Sequence, residues 1–199
     1  MINRTSPVRI NQALSLIALS MVLALTSCAT ITSPFIEQPI TTNPEERTMG
    51  EALDDKNTRA RLQVNLTKYD ARFRDANVDI HVNVGTVLLV GQVPEKSMIS
   101  LATQLVSKDS QVKTIHNHLT AEPNLGVGVS SNDKWLAVKV RSQLFANDDF
   151  SDSSLDIVVE KGVVYIMGRV TQETANKAVA IAAEVGGVQK VVKVFQIIN

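Results

Sequence analysis

One cysteine in 199 residues, 4% aromatics and no excess of either charge are what this chain conspicuously has little of. A single cysteine excludes an intramolecular disulfide and a cysteine-rich zinc site. So few rings provide no platform for stacked bases, and 20 basic residues against 20 acidic leave no global positive field, so nucleic acid is excluded as a partner. Gly-x-Ser-x-Gly and His-Glu-x-x-His are missing, and Gly126-x-Gly128 is not followed by the rest of a phosphate loop. His116 and His118 share one face of a predicted strand without a third ligand at local spacing, and they and His81 are expected on a solvated face. The acidic pairs Asp54-Asp55 and Asp148-Asp149 are expected at helix ends, as caps. No metal, cofactor or catalytic constellation is expected, and the chain does not read as an enzyme.

What is present begins with an address. Residues 1–27 carry Arg4 and Arg9, no acidic residue, and an apolar run from Ala13 to Leu25, shorter than the roughly 20 residues a spanning helix needs. This is the pattern of a secretory signal. Leu25-Thr26-Ser27-Cys28 resembles a bacterial lipobox, which implies that Cys28 is acylated and opens the mature chain. The resemblance to Gram-negative lipoproteins, with Ala29 where an Asp would retain the protein at the inner membrane, implies an outer-membrane anchor facing the periplasm. One acyl chain holds only marginally, whereas two or three hold stably. The mature chain would keep 18 basic and 20 acidic residues, a net charge of −2. Residues 28–53 contain Pro34, Pro39 and Pro44 without sustained periodicity and are expected to form a flexible tether.

The remainder is organised by an internal repeat. Residues 77–93 match residues 154–170 at a constant offset of 77, with Asp, Ile, Val, both glycines and the last Val coinciding. In each copy alternating apolar residues (Val78/Ile80/Val82, then Val87/Leu89) predict two strands joined at Gly85, or at Gly162 in the second copy. Gly85 and Gly162 are expected to provide positive φ at the turn, and Gly91 and Gly168 relief at the strand end. Helices are expected at about Thr58–Tyr69 and Asp133–Ala146, at Ser97–Ser107 and Gln172–Val185, followed by strands at Val112–Leu119 and Val188–Ile198. The predicted fold class is α+β: two tandem α-β-β-α-β domains (54–121 and 131–199, linker 122–130), each a three-stranded mixed sheet with two helices on one face. Cores this small are marginal alone, so the copies are expected to pack together.

The amphipathic first helix, the Val-x-Val-x-x-Gly-x-Val-x-Leu-x-Gly-x-Val strand pair, a second helix and a closing Gly187-Val188-Gln189-Lys190-Val191 resemble the BON domain of bacterial envelope proteins. The first copy departs from the pattern, with Ser110-Gln111 opposite Gly186-Gly187. A lipobox followed by two such domains is similar to dual-BON outer-membrane lipoproteins. The resemblance implies binding of an anionic, phosphatidylglycerol-like phospholipid membrane through the second copy, enrichment at division sites and a role in envelope integrity.

The residues themselves favour the second copy. At about 100° per residue, Leu136, Ala137, Val140 and Leu144 share one stripe of its first helix, which should face the sheet. Trp135, Val138 and Phe145, with Ser142 among them, form a second stripe pointing elsewhere, flanked by Lys139 and Arg141. At an offset of 78 the first copy repeats the core stripe as Leu62 and Leu66, but has Asn57, Ala60 and Thr67 opposite Trp135, Val138 and Phe145. Trp with flanking cations suits the headgroup level of a bilayer. Packing of this stripe against the first copy, or against an envelope protein in an adaptor role, stays open on the sequence alone.

Overall fold

The structure is a computed structural model and describes residues 43–122, 127–146, 150 and 154–199. The expected signal segment, Cys28, most of the expected tether and Asp148-Asp149 lie outside the described residues.

The first domain runs α1 (Met49–Tyr69), the single turn α2 (Arg72–Asp75), β1 (Asn77–Asn83), β2 (Thr86–Val93), α3 (Lys96–Val106) and β3 (Thr114–Ala121). The second runs α4 (Val127–Phe145), β4 (Leu155–Glu160), β5 (Val163–Thr171), α5 (Gln172–Glu184) and β6 (Lys190–Ile198). In each sheet the central strand pairs antiparallel with the one before it and parallel with the one after the helix. The fold is therefore α+β, with two copies of one unit.

Two helices begin earlier than their apolar period indicates. α1 starts at Met49 inside the expected tether, because Thr48 and Glu51 form a reciprocal capping box: the Glu51 N–H donates to Thr48 Oγ1 (3.2 Å) and the Thr48 N–H to Glu51 Oε2 (2.9 Å). α4 likewise starts at Val127, inside the expected linker.

Both hairpins close through two-residue turns in the left-handed region: Val84-Gly85 (φ +48°, +80°) and Lys161-Gly162 (φ +52°, +72°). A β-branched valine resists that conformation, so something must hold it. A buried carboxylate does. Asp55 of α1 accepts from the Val84 N–H (2.9 Å) and the Gly85 N–H (3.3 Å), and Asp133 of α4 accepts from Lys161 (2.7 Å) and Gly162 (3.0 Å). Asp55 is thus no exposed cap at a helix end; it lies within the helix, on its core side, and clamps the hairpin. The other glycine pair has diverged. Gly91 has φ +111° and its missing Cβ would collide with the Asn77 carbonyl, whereas Gly168 is required only by close approach, a Cβ there meeting Ser154 O at 2.5 Å.

Alternation along the central strands builds three cores. Val87, Leu89 and Val93 face Leu62, Leu66, Met98 and Ala102; Val164, Ile166 and Val170 face Leu136, Val140, Leu144 and Ala178. The opposite sides, Leu88 and Val90 from one sheet and Val158, Tyr165, Met167 and Val194 from the other, pack on each other. The two domains form a four-layer sandwich, helices outside and the two sheets face to face. Each fully buried apolar side chain contributes about 1.5–3 kcal/mol, so this seam stabilises two otherwise marginal units. The seam also corrects the expectation for the histidines. His116 and His118 lie in register with Leu88 and Val90, on the side turned to the second sheet, and the His118 ring stands 4.9 Å from that of Tyr165.

Residues 43–55 strap the seam from outside. Arg47 reaches both Asp55 (3.3 Å) and Asp156 (3.2 Å). Arg169 of β5 donates to Glu51 (2.7 Å), to the Pro44 carbonyl (2.8 Å) and to the Glu46 carbonyl (3.1 Å), and Glu45 accepts from the Thr171 N–H (2.7 Å). Part of the predicted tether is therefore docked on the second domain.

Candidate membrane-facing site

α4 turns Leu136, Val140 and Leu144 into its own core, fully buried, beside Asp133. Trp135 is 64% exposed and Val138 57%, with Arg141 and Ser142 exposed beside them. Because the domains meet through their sheets, the indole is not sealed between them.

The remaining members of the second stripe are less free. Phe145 is half-buried against the core of its domain, with the Arg141 guanidinium 5.7 Å from its ring centroid. Lys139 is half-buried, and its Nζ donates to the Gly186 carbonyl at 2.7 Å. It stands on a groove of about 420 Å³ between α4 and α5, lined also by Ser142, Gln143, Ile181, Glu184 and Val185.

The first domain has the same groove, about 460 Å³ between α1 and the end of α3, lined by Arg61, Asn65, Leu105, Lys108, Asp109 and Ser110. There Arg61, equivalent to Lys139, is held in a two-point ion pair by Asp109 (2.6 and 3.0 Å). The guanidinium keeps the Asp109 carboxyl below the usual carboxylate range. Val185 occupies the equivalent place in the second copy. One groove closes on an Arg–Asp ion pair; in the other Lys139 donates to a carbonyl and Glu184 lines the wall.

Contrary to the sequence expectation, α1 does carry an outward apolar row, built from other positions. Met49 is 91% exposed, Leu53 58% and Val64 53%. Met49 and Leu53 escape the comparison of the two copies because the matched stretch begins at Asn57. Sequence reasoning read Asp55 as a helix-end cap and passed over Asp133, although their coincidence at the helix offset of 78 was a usable signal.

Among the described residues no three His, Cys, Asp or Glu side chains are placed to hold a metal ion, and no helix is long and apolar enough to cross a membrane.

The chain is 32% identical to the outer membrane lipoprotein DolP of Haemophilus influenzae over 186 residues, covering 92% of this chain and 95% of that protein. It is 31% identical to the 21 kDa hemolysin of Actinobacillus pleuropneumoniae, over 78% of this chain and 80% of the relative. The BON domain family model matches twice, at residues 54–123 and 132–199, each match taking in most of one α-β-β-α-β unit. With both halves matched and the repeat visible in sequence and backbone alike, this chain belongs to the BON domain family.

Proposed function

We propose that the protein is an outer-membrane lipoprotein, anchored through Cys28 and facing the periplasm, whose second domain docks on anionic phospholipid through the outward face of α4. One observation carries this reading: Trp135 and Val138 stand exposed on a helix half that bears the cations Lys134, Lys139 and Arg141 and no carboxylate. Between Ser131 and Phe145 the one carboxylate is Asp133, which is buried and bonded to the hairpin turn. An indole favours the headgroup level of a bilayer, where lysine and arginine meet phosphate. Burial of the two exposed side chains there would contribute a few kcal/mol, about 1.5–3 each. The name of the Haemophilus relative supports the location. Support of envelope integrity at division sites rests on the family resemblance alone. The activity is binding, not catalysis.

Flotation with vesicles tests this. The chain from Ala29 onward, which keeps every described residue, is expected to float with phosphatidylglycerol vesicles and not with phosphatidylcholine. Replacing Trp135 and Val138 by Glu is expected to cost at least tenfold in affinity. Undiminished binding by that variant removes the named face; a chain that ignores vesicles altogether leaves the face to a protein partner of the envelope.

A further inference from the structure

We infer that α1 of the first domain is a second contact for anionic phospholipid, so that the molecule carries two lipid-facing helices turned away from each other. Met49, Leu53, Ala60 and Val64 follow one another at spacings of four, seven and four, which keeps them within about 60° on a helix of about 100° per residue. All four are exposed, and from Met49 to Val64 the row is roughly 22 Å long at 1.5 Å per residue. A lone exposed apolar residue has no meaning, but an aligned row along four turns does.

Charge identifies the partner. Lys56 and Lys68 lie on the same outward half of α1, and both are exposed. The helix has three carboxylates, and none is on that half. Asp55 is buried under the hairpin turn, Glu51 is taken by Arg169, and Asp54 lines the depression at the hairpin end together with Lys113. An apolar row edged by lysine and free of acid is complementary to an anionic lipid surface, and it is the same chemistry that α4 presents.

The layer order gives the arrangement its consequence. α1 lies outside the first sheet and α4 outside the second, so a flat bilayer that seats one row cannot seat the other. Residues 29–42 span at most about 45 Å when extended, comparable with the roughly 40 Å of four layers at about 10 Å spacing, so an anchor at Cys28 could allow either face down. A molecule seated by one face then offers the other to a second anionic surface. The inference rests on the α4 reading for one of its two faces.

The experiment follows flotation and light scattering of phosphatidylglycerol vesicles mixed with the chain from Ala29 onward. Wild type is expected to float with the vesicles and to aggregate them. L53E/V64E should still float, W135E/V138E should still float at least tenfold more weakly, each should lose aggregation, and the fourfold variant should lose flotation. Far-UV circular dichroism and melting confirm that these exposed substitutions leave the fold intact. Flotation of wild type without aggregation, aggregation that survives L53E/V64E, or complete loss of flotation in W135E/V138E overturns the second face. Complete loss of flotation in L53E/V64E instead removes the α4 reading while leaving α1 standing, and a wild-type chain that does not float removes both.

Discussion

The two domains share a skeleton and differ in how they dispose of charge. In the first, the arginines of the helical side are answered by acids: Arg61 by Asp109, Arg59 by Asp79, Arg72 by Asp70 and Glu95. In the second, Lys139 donates to a carbonyl in a groove that Glu184 also lines, Lys177 pairs with Glu173, and Arg169 is spent on the strap. What both domains retain is the Asp clamp on the hairpin turn, which the fold needs; what has diverged is the outer surface, which the fold does not need. The comparison separates residues that specify the unit from residues that specify its use.

The strongest way to break the comparison is at the clamp. Asp55→Ala and Asp133→Ala each strand two turn N–H groups, at about 1–3 kcal/mol per unsatisfied buried group. Urea unfolding should show a loss of about 2–4 kcal/mol in each. Asp55→Ala should be the worse of the two, because Asp55 also holds Arg47; equal losses would mean that the strap adds nothing.

Arg169→Ala comes next. It removes two charged hydrogen bonds to Glu51 (2.7 and 3.4 Å) and two to strap carbonyls, with an expected loss of about 1.5–3 kcal/mol in the same assay. It should also change the acid limb. Arg169 and the Thr48 N–H hold the Glu51 carboxyl down at about 2 from 4.5. A depressed carboxyl stabilises while ionised, so its contribution is complete above about 4.5 and fades as pH falls toward about 2. In Arg169→Ala that part of the acid dependence should shrink, leaving what Thr48 supplies.

Asp109→Asn sharpens the contrast between the grooves. It strips Arg61 of its counter-charge and leaves Arg61 and Lys108 without an acid in the first groove, so phosphatidylglycerol vesicle binding should rise a few-fold at low salt and return to wild type in about 0.5 M salt. Unchanged binding would show that the charge of this groove does not reach the lipid.

The smallest effect is expected at the seam. Burial, helped by His116 and Lys190, holds the His118 imidazole below its ordinary 6.5. A base with a depressed folded pKa stabilises while neutral, so stability should be full above about 6.5 and decline as pH falls below it. His118→Gln should flatten that slope by less than about 1 kcal/mol, seen as melting temperature against pH.

Much of the unit was legible before any coordinates. The alternation of Val78, Ile80 and Val82, the glycines at Gly85 and Gly162, and the stripe of Leu136, Val140 and Leu144 are local signals of period two and 3.6, and the backbone follows them. Within α4 the same wheel separated Trp135 from the core. It failed where a side chain's role is set by distant chain. His118 looked solvated because the second sheet that covers it begins 37 residues later, at Leu155. The strap was invisible because its partners lie over 100 residues away: Arg47 with Asp156, Glu45 with Thr174. Asp55 was misread because a carboxylate on the core side of a helix is ordinarily an error, and here two backbone N–H groups make it a requirement.

The strap also decides where mechanical load enters. Because Pro44, Glu45, Glu46 and Arg47 are bonded to β4, β5 and the start of α5, a pull arriving from the N-terminal side is shared between both halves before it reaches α1. Tension would first shear a handful of ion pairs and carbonyl contacts across the junction, Arg47–Asp55 among them, before it reaches the turn N–H bonds of the hairpin clamps. Those contacts act as a fuse, yielding at modest force and lengthening the leash while the folded halves stay whole.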